Sequence, residues 1–434
     1  MAKELKIGLL GFGTVGAGVV KHLQNNGELI GARCGVRPVI GKIADLDITT
    51  DRGVTVDPTL LTTDAESVIN DPDIDVIVEL VGGTGVALKF AIQALEAGKP
   101  VVTANKAMLA KCGDELFAAA AKGNADIYYE ASVAGGIPII KALREGLSGN
   151  HIKSIYGILN GTCNYILTRM EREGIDFDSV LAEAQALGYA EADPALDVDG
   201  GDTAHKTTIL ASLAYGTWFG MDDIHMEGIR GLNVIDITNA DKLGYRVKLL
   251  GIIKFEGDDV QMRVHPTLLP KTAQLAGVDG VFNSVFVDGD VVGPTMFYGA
   301  GAGQDATASA VIGDIVDVCL NLKYEIPQRI PAFRAHESYK DKLMPMSEII
   351  SRYYLRLALV DKPGVLASIT TILGNHNISI ASASQIENGE EEEAASVVFL
   401  THEAKEADLQ AALEEIKQLD VVQAEPIMLR IETI

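Results

Sequence analysis

The densest cluster of reactive side chains lies in GYAEADPALDVDGGDTAHK, residues 188–206, which holds Glu191, Asp193, Asp197, Asp199, Asp202 and Lys206. Asp202 and Lys206 are four positions apart at the start of a helical pattern, so they share one helix face. A lysine beside carboxylates in a cleft can give a proton to a carbonyl oxygen or take one from a hydroxyl. A calcium-type loop is the bland alternative, but the regular ligand spacing and closing glutamate of an EF-hand are missing. A solvated surface turn is the other. Residues 207–213 are mostly apolar, which buries this helix and puts its first turn at a pocket wall.

A second signal lies near the N-terminus. GFGTVG places Gly11, Gly13 and Gly16 directly after the apolar run KIGLLG and directly before a helical pattern, the context a dinucleotide fingerprint requires. Gly11 permits a tight turn, Gly13 lets backbone approach a pyrophosphate, and Gly16 lets helix pack on strand. Phe12, Thr14 and Val15 complete the loop, with the helix N-terminus facing the anion. NAD and NADP both remain open. Asp45 or Asp47, at the end of the second strand, would hydrogen-bond a ribose 2′-hydroxyl and favour NAD, whereas Arg52 could pair with a 2′-phosphate.

The elements that position these groups follow from the pattern. The first 130 or so residues alternate apolar strands with helices, the texture of a doubly wound parallel sheet. From about Gly135 the pattern changes to helices and long strands with Asp-Gly turns, as in KLLGIIKFEGDDVQMRVHPTLLP and NSVFVDGDVVGPTMFYG, which implies an α+β domain. The helix ASAVIGDIVDVCLNL is expected to pack back on the first domain. A stretch with Pro327, Pro331 and Pro345 reads as a linker. The last eighty residues form a βαββαβ pattern, with the GEEEEA run as a solvated hairpin tip. The expected division is 1–134 with about 306–330, 135–305, a linker at 331–350, and 351–434.

Composition excludes several classes. A net charge of −24 repels phosphate backbones and anionic membranes, so no nucleic-acid or membrane partner is expected. Cys34, Cys112, Cys163 and Cys319 form no CxxC pair and fit reduced thiols. No apolar run approaches the roughly 20 residues of a membrane span, and no cleavable leader is visible. A cytoplasmic protein is expected.

Four segments, in order over about residues 7–305, resemble homoserine dehydrogenases. They are GFGTVG, the lysine of VVTANKA, NGTCNYIL, and the acidic segment with spacings of six, five and four between Glu191, Asp197, Asp202 and Lys206. The resemblance implies NAD(P)-dependent interconversion of L-aspartate 4-semialdehyde and L-homoserine. Lys206 would be the general acid and base, Asp202 would orient it, and Lys106 would stabilise developing oxyanion charge. Glu191 would bind the substrate ammonium, with Asp197 supporting it and with Asn160, Gly161 and Thr162 giving polar contacts. Gly188 and Gly303 would approach the cofactor. Cys163 reads as a buried structural thiol, since no histidine is near it in sequence. The resemblance also implies a structural monovalent cation, usually sodium, on Glu130 and the carbonyls of Val133, Gly135 and Ile137.

The tail, DKPGVLASITTILGNHNISI, resembles the opening of an ACT domain. This implies an amino-acid effector near Asp361, Gly364, Asn377 and Ile378, with threonine the first candidate, in a homodimer or homotetramer. A tail that mainly supplies dimer contacts is the rival reading. Removing the chain after about Ser351 is expected to spare catalysis.

Overall fold

The structure is a computed structural model that describes residues 2–386 and 394–434. The acidic run at 389–393 lies outside the described residues.

Six parallel strands open the chain: β1 (Lys3–Leu10), β2 (Val36–Ala44), β3 (Leu61–Thr62), β4 (Val76–Glu79), β5 (Val101–Thr103) and β6 (Ile127–Tyr128), ordered β3-β2-β1-β4-β5-β6. Alternation along β1 sends Ile7 and Leu9 into one core and Leu10 into another. Helix α1 (Thr14–Cys34) covers the first face. Helices α2 (Ala65–Ile69), α3 (Val86–Glu96) and α4 (Lys106–Gly123) pack on the second. Strand order reverses between β1 and β4, and in such sheets the crevice beyond the strand ends at this point receives the ligand.

Next come the short helix α5 (Ile139–Lys141), strand β7 (Ile152–Ile158), and helices α6 (Gly161–Glu173), α7 (Phe177–Ala186), α8 (Ala195–Val198) and α9 (Gly201–Tyr215). They are followed by β8 (His225–Met226), α10 (Val234–Lys242), and two long hairpins, β9 (Tyr245–Glu256) with β10 (Asp259–Pro270) and β11 (Phe282–Gly289) with β12 (Gly293–Ala300). The first hairpin turns at Gly257-Asp258, a Gly-Asp rather than an Asp-Gly pair, and the second turns at 290–292, just after Asp288-Gly289, which end β11. Helix α11 (Gln304–Tyr324) shares a core with α1, through Val311, Ile315 and Val318.

The proline-marked stretch at 331–350 is tied down rather than free. Phe333 stacks near Phe117 and Trp218, Tyr129 donates to the Ala332 carbonyl, and Thr217 donates to the Glu337 carbonyl.

The tail contains β13 (Ile350–Val360), α12 (Val365–Asn375), β14 (Ile380–Ile386), β15 (Ala394–Thr401), β16 (Ala404–Lys405), α13 (Glu406–Lys417) and β17 (Ile427–Ile431). Its strands do not form a separate sheet. β17 pairs antiparallel with β13 and parallel with β10, through Thr267–Arg430 and Leu268–Ile431. One eleven-stranded sheet therefore runs from β12 to β14. The tail thereby completes a sheet that starts in the middle of the chain, so its removal would strip β10 of a strand partner.

Candidate active site

Helix α9 begins at Gly201, so Asp202 and Lys206 stack on one face of its first turns, both buried. Lys206 Nζ donates to Asp202 Oδ2 at 2.8 Å and to the Leu159 carbonyl at 2.6 Å. From the other side, Lys106 Nζ lies 3.0 Å from Asp202 Oδ1. One carboxylate is thus gripped by two ammonium groups.

Asn160 closes the arrangement. Its Oδ1 caps α6 by accepting the Cys163 N–H at 2.8 Å, while Nδ2 donates to Asp197 Oδ1 at 2.7 Å and Asp202 Oδ2 at 2.8 Å. Lys106 is placed by a longer chain of bonds. Buried Glu79, at the end of β4, accepts the Thr103 hydroxyl at 2.6 Å. Thr103 accepts the Asn105 N–H, and Asn105 Oδ1 caps α4 at Met108 N, so that Lys106 projects from the first residue of the helix.

Electrostatics follow from burial and these contacts. Burial pushes the Asp202 carboxyl up, but the Lys206 and Lys106 charges outweigh it and hold Asp202 well below the usual carboxylate range. It stays an anion. Burial raises Asp197, opposed by the Asn160 hydrogen bond and aided by the Asp202 charge. Burial and the Lys111 and Lys106 charges bring His205 down to about 4, so this ring is neutral near pH 7. Burial pushes the Cys163 thiol well up, and its Sγ–H donates to the Asp197 carbonyl at 3.2 Å, so no thiolate is available there.

Asp202, Lys206 and Lys106 face a cleft of about 590 Å³. Asn160, Gly161, Thr162 and Glu191 line its walls with Asp197, and Glu191 is exposed at the rim. Val15, Gly188 and Gly303 line it too, as does Gly135. Gly11, Phe12, Gly13, Thr14, Gly16 and Asp45 are not on its wall but belong to the neighbouring glycine turn and the end of β2.

That turn fits a dinucleotide. Gly11 has φ 97°, and a Cβ there would lie 2.6 Å from the Leu80 carbonyl oxygen. A Cβ on Gly16 would lie 2.3 Å from the Gly11 oxygen, whereas one on Gly13 would meet nothing within 4 Å. The open space at Gly13, at the N-terminus of α1, is room for a phosphate. Asp45 accepts the Phe12 N–H at 2.5 Å and the Asp47 N–H at 2.8 Å, and Asp47 pairs with Arg52 at 3.1 Å.

The expected cation loop is also assembled. Glu130 accepts the Ile140 and Lys141 N–H groups at 2.8 and 2.7 Å, and burial raises it to about 6. Ala134 and Gly135 both have φ 55°. Among the described residues, the Val133 and Gly135 carbonyls accept no hydrogen bond, while the Ile137 carbonyl accepts from Ile139 at 2.8 Å. In the tail, Asp361 and Gly364 line a hollow of about 360 Å³; exposed Asn377 and buried Ile378 are not on its wall.

Sequence reasoning missed the Leu159 carbonyl and Asn283. Asn283 Nδ2 donates to that same carbonyl at 2.8 Å, and a side chain at Gly301 would collide with it. A buried asparagine in an apolar strand was the available signal.

Comparison with known proteins agrees with this geometry. The family model described as homoserine dehydrogenase matches residues 138–316, and that of its NAD-binding domain matches 11–130. An ACT domain model matches 353–421. A homoserine dehydrogenase of Neisseria gonorrhoeae is 45% identical over 434 residues, covering 100% of this chain and 99% of its own. A solved homoserine dehydrogenase from Thiobacillus denitrificans aligns with a TM-score of 0.93 at 44% identity, over 100% of this chain and 99% of that one. A hyperthermophilic archaeal homoserine dehydrogenase in complex with NADPH aligns at 0.62 and 28% identity, over 73% of this chain and 98% of that one. The chain therefore belongs to the homoserine dehydrogenase family of NAD(P)-dependent oxidoreductases, with an ACT domain at its C-terminal end.

Proposed function

We propose that the protein interconverts L-aspartate 4-semialdehyde and L-homoserine in the synthesis of threonine, methionine and isoleucine. The observation that carries this reading is Asp202 held between Lys206 and Lys106 on the wall of a cleft beside the glycine turn. A bound nicotinamide would supply hydride-transfer chemistry at the substrate's carbonyl carbon.

The protein's own residues handle the proton and the charge. Lys206 has three N–H bonds, of which Asp202 and the Leu159 carbonyl take two. The third is free for the substrate oxygen, so Lys206 protonates that oxygen in reduction and deprotonates the hydroxyl in oxidation. Lys106, with Asp202 as its only ion-pair partner among the described residues, stabilises the oxygen as negative charge develops. Asp202 keeps both lysines in place and remains charged throughout. Glu191 at the rim takes the substrate ammonium, with Asp197 and Asn160 behind it, and Gly161 and Thr162 shape the adjoining wall.

NAD or NADP is held by residues 11–16, with Asp45 at the ribose and Gly188 and Gly303 near the nicotinamide. The partnered Asp47 and Arg52 fit either dinucleotide. A sodium ion on Glu130, Val133, Gly135 and Ile137 fits one buried carboxylate beside two unclaimed carbonyls, a donor set for a hard monovalent ion. Threonine acting near Asp361, Gly364, Asn377 and Ile378, in a cytoplasmic homodimer or homotetramer, completes the reading.

The deciding experiment is oxidation of L-homoserine with NAD and then NADP, with and without threonine, followed by reduced-nicotinamide absorbance. Homoserine-dependent turnover is expected, and Lys206→Ala should lower it by about 10²–10⁴-fold with dinucleotide binding intact. Folded protein that binds dinucleotide but ignores homoserine would overturn the substrate assignment.

A further inference from the structure

The tail and the catalytic carboxylates are joined by a short series of direct contacts. Arg430, on β17 and 2% exposed, grips two glutamates at once. Its Nη1 and Nη2 donate to Glu227 Oε2 and Oε1, both at 2.9 Å, and its Nε and Nη2 donate to Glu406 at 2.9 and 2.6 Å. A guanidinium used on both edges cannot swing, so it fixes Glu227 in orientation as well as position. The Tyr353 hydroxyl donates to the same Glu406 at 2.9 Å.

Glu227 follows directly on β8, and its N–H donates to the Val264 carbonyl at 2.7 Å. The next three residues lie against the acidic turn. A Cβ at Gly228 would fall 2.1 Å from the Val198 carbonyl oxygen, so backbone meets backbone there. Ile229 N–H donates to that carbonyl at 2.7 Å, and Arg230 pairs with Asp199 at 2.5 Å. Val198 and Asp199 sit between Asp197 and Asp202, the two acids that Asn160 ties together.

We propose that the Arg430–Glu227 pair positions the catalytic carboxylates: through residues 227–230 the tail fixes the turn bearing Asp197 and Asp202, and so sets substrate affinity within one chain. Glu227 and Arg430 are positioning residues and touch neither substrate nor cofactor. The glycine turn lies on a different sheet, so dinucleotide binding does not depend on the pair. This rests on the reading of Asp197 and Asp202 as substrate-side groups.

The test uses the full chain with Glu227→Gln, Arg430→Lys, Asp199→Asn and the Glu227→Gln/Asp199→Asn double variant. Steady-state homoserine oxidation gives KM and kcat, and titration calorimetry gives the Kd for NAD. Each single variant should raise homoserine KM about threefold or more, with kcat changed less and the NAD Kd within about twofold. The double variant should be no worse than the worse single, because both changes cut one route. Homoserine KM within about twofold of the parent, or KM and NAD Kd rising together, would overturn the proposal, as would multiplying effects in the double variant. If Glu227→Gln does not fold, half-exposed Asp199 carries the test alone, and an unmoved KM there is a failure. Asp197→Asn separates the two layers. If it leaves homoserine KM unmoved, the substrate-side reading fails and takes this proposal with it. If only Asp197→Asn raises KM, the reading stands and the route alone is wrong.

Discussion

At the scale of single residues, the site depends on groups that do two jobs. Asn160 caps a helix with its oxygen and binds two carboxylates with its nitrogen. Asn160→Asp should therefore keep the cap but set a third carboxylate against Asp197 and Asp202. A fall in kcat/KM of about tenfold or more, with little change in melting temperature, is the expected result. His205, beside Lys206 in sequence, is a different case. Its ring is buried, its Nδ1 has no partner among the described residues, and burial brings it from an ordinary value near 6.5 down to about 4. A basic group with a lowered folded value stabilises the fold above pH 6.5 and loses that contribution as pH falls through 4. The full effect is on the order of 3 kcal/mol in acid. His205→Gln, neutral throughout, should be less stable than the parent at pH 7 and close that gap by pH 4.5. Thermal melts at both pH values decide it, and an unchanged gap means that His205 does not titrate in this window.

At the scale of elements, the glycine turn separates two demands that the sequence motif runs together. Gly11 is required by the fold, since its φ is positive and Leu80 backbone crowds its missing Cβ. Gly13 faces open space and is required only by what enters that space. Gly11→Ala should lower stability by at least about 1–2 kcal/mol as well as weaken NAD binding. Gly13→Ala should leave the melt unchanged and raise the NAD Kd about tenfold or more, as calorimetry would show. Much of this was legible beforehand. The strand-turn-helix setting of GFGTVG and the helical spacing of Asp202 and Lys206 are local patterns, and local patterns survive folding. The bond from Lys106 to Asp202 could not be read from spacing, because it joins α4 to α9 across two domains. The Leu159 carbonyl was illegible for another reason: a main-chain acceptor has no residue type. The pairing of β17 with β10 was hidden because a strand as short as the five-residue β17 carries no mark of its partner.

At the scale of the whole molecule, that pairing makes the tail part of the core. Arg263, 1% exposed, is neutralised by Glu432, and Arg356 pairs with buried Asp236. Cutting the chain after residue 350 removes Glu432, Arg356 and Arg430 together, and leaves Arg263 and Asp236 without their ion-pair partners. Each orphaned charge costs about 3–5 kcal/mol. The truncated protein should melt far below the full chain or fail to stay in solution. A melt within about two degrees of the parent would mean that the sheet halves are independent. The same strand also has a consequence for how the molecule is made. The contact between positions 267 and 430 closes a very large loop, and such contacts form late in folding. Until β17 arrives, β10 waits with an open hydrogen-bonding edge, the template on which misfolded chains recruit one another. Refolding yield should therefore drop steeply with protein concentration, and in a crowded cell the chain would depend on chaperones that shield that edge until the sheet closes.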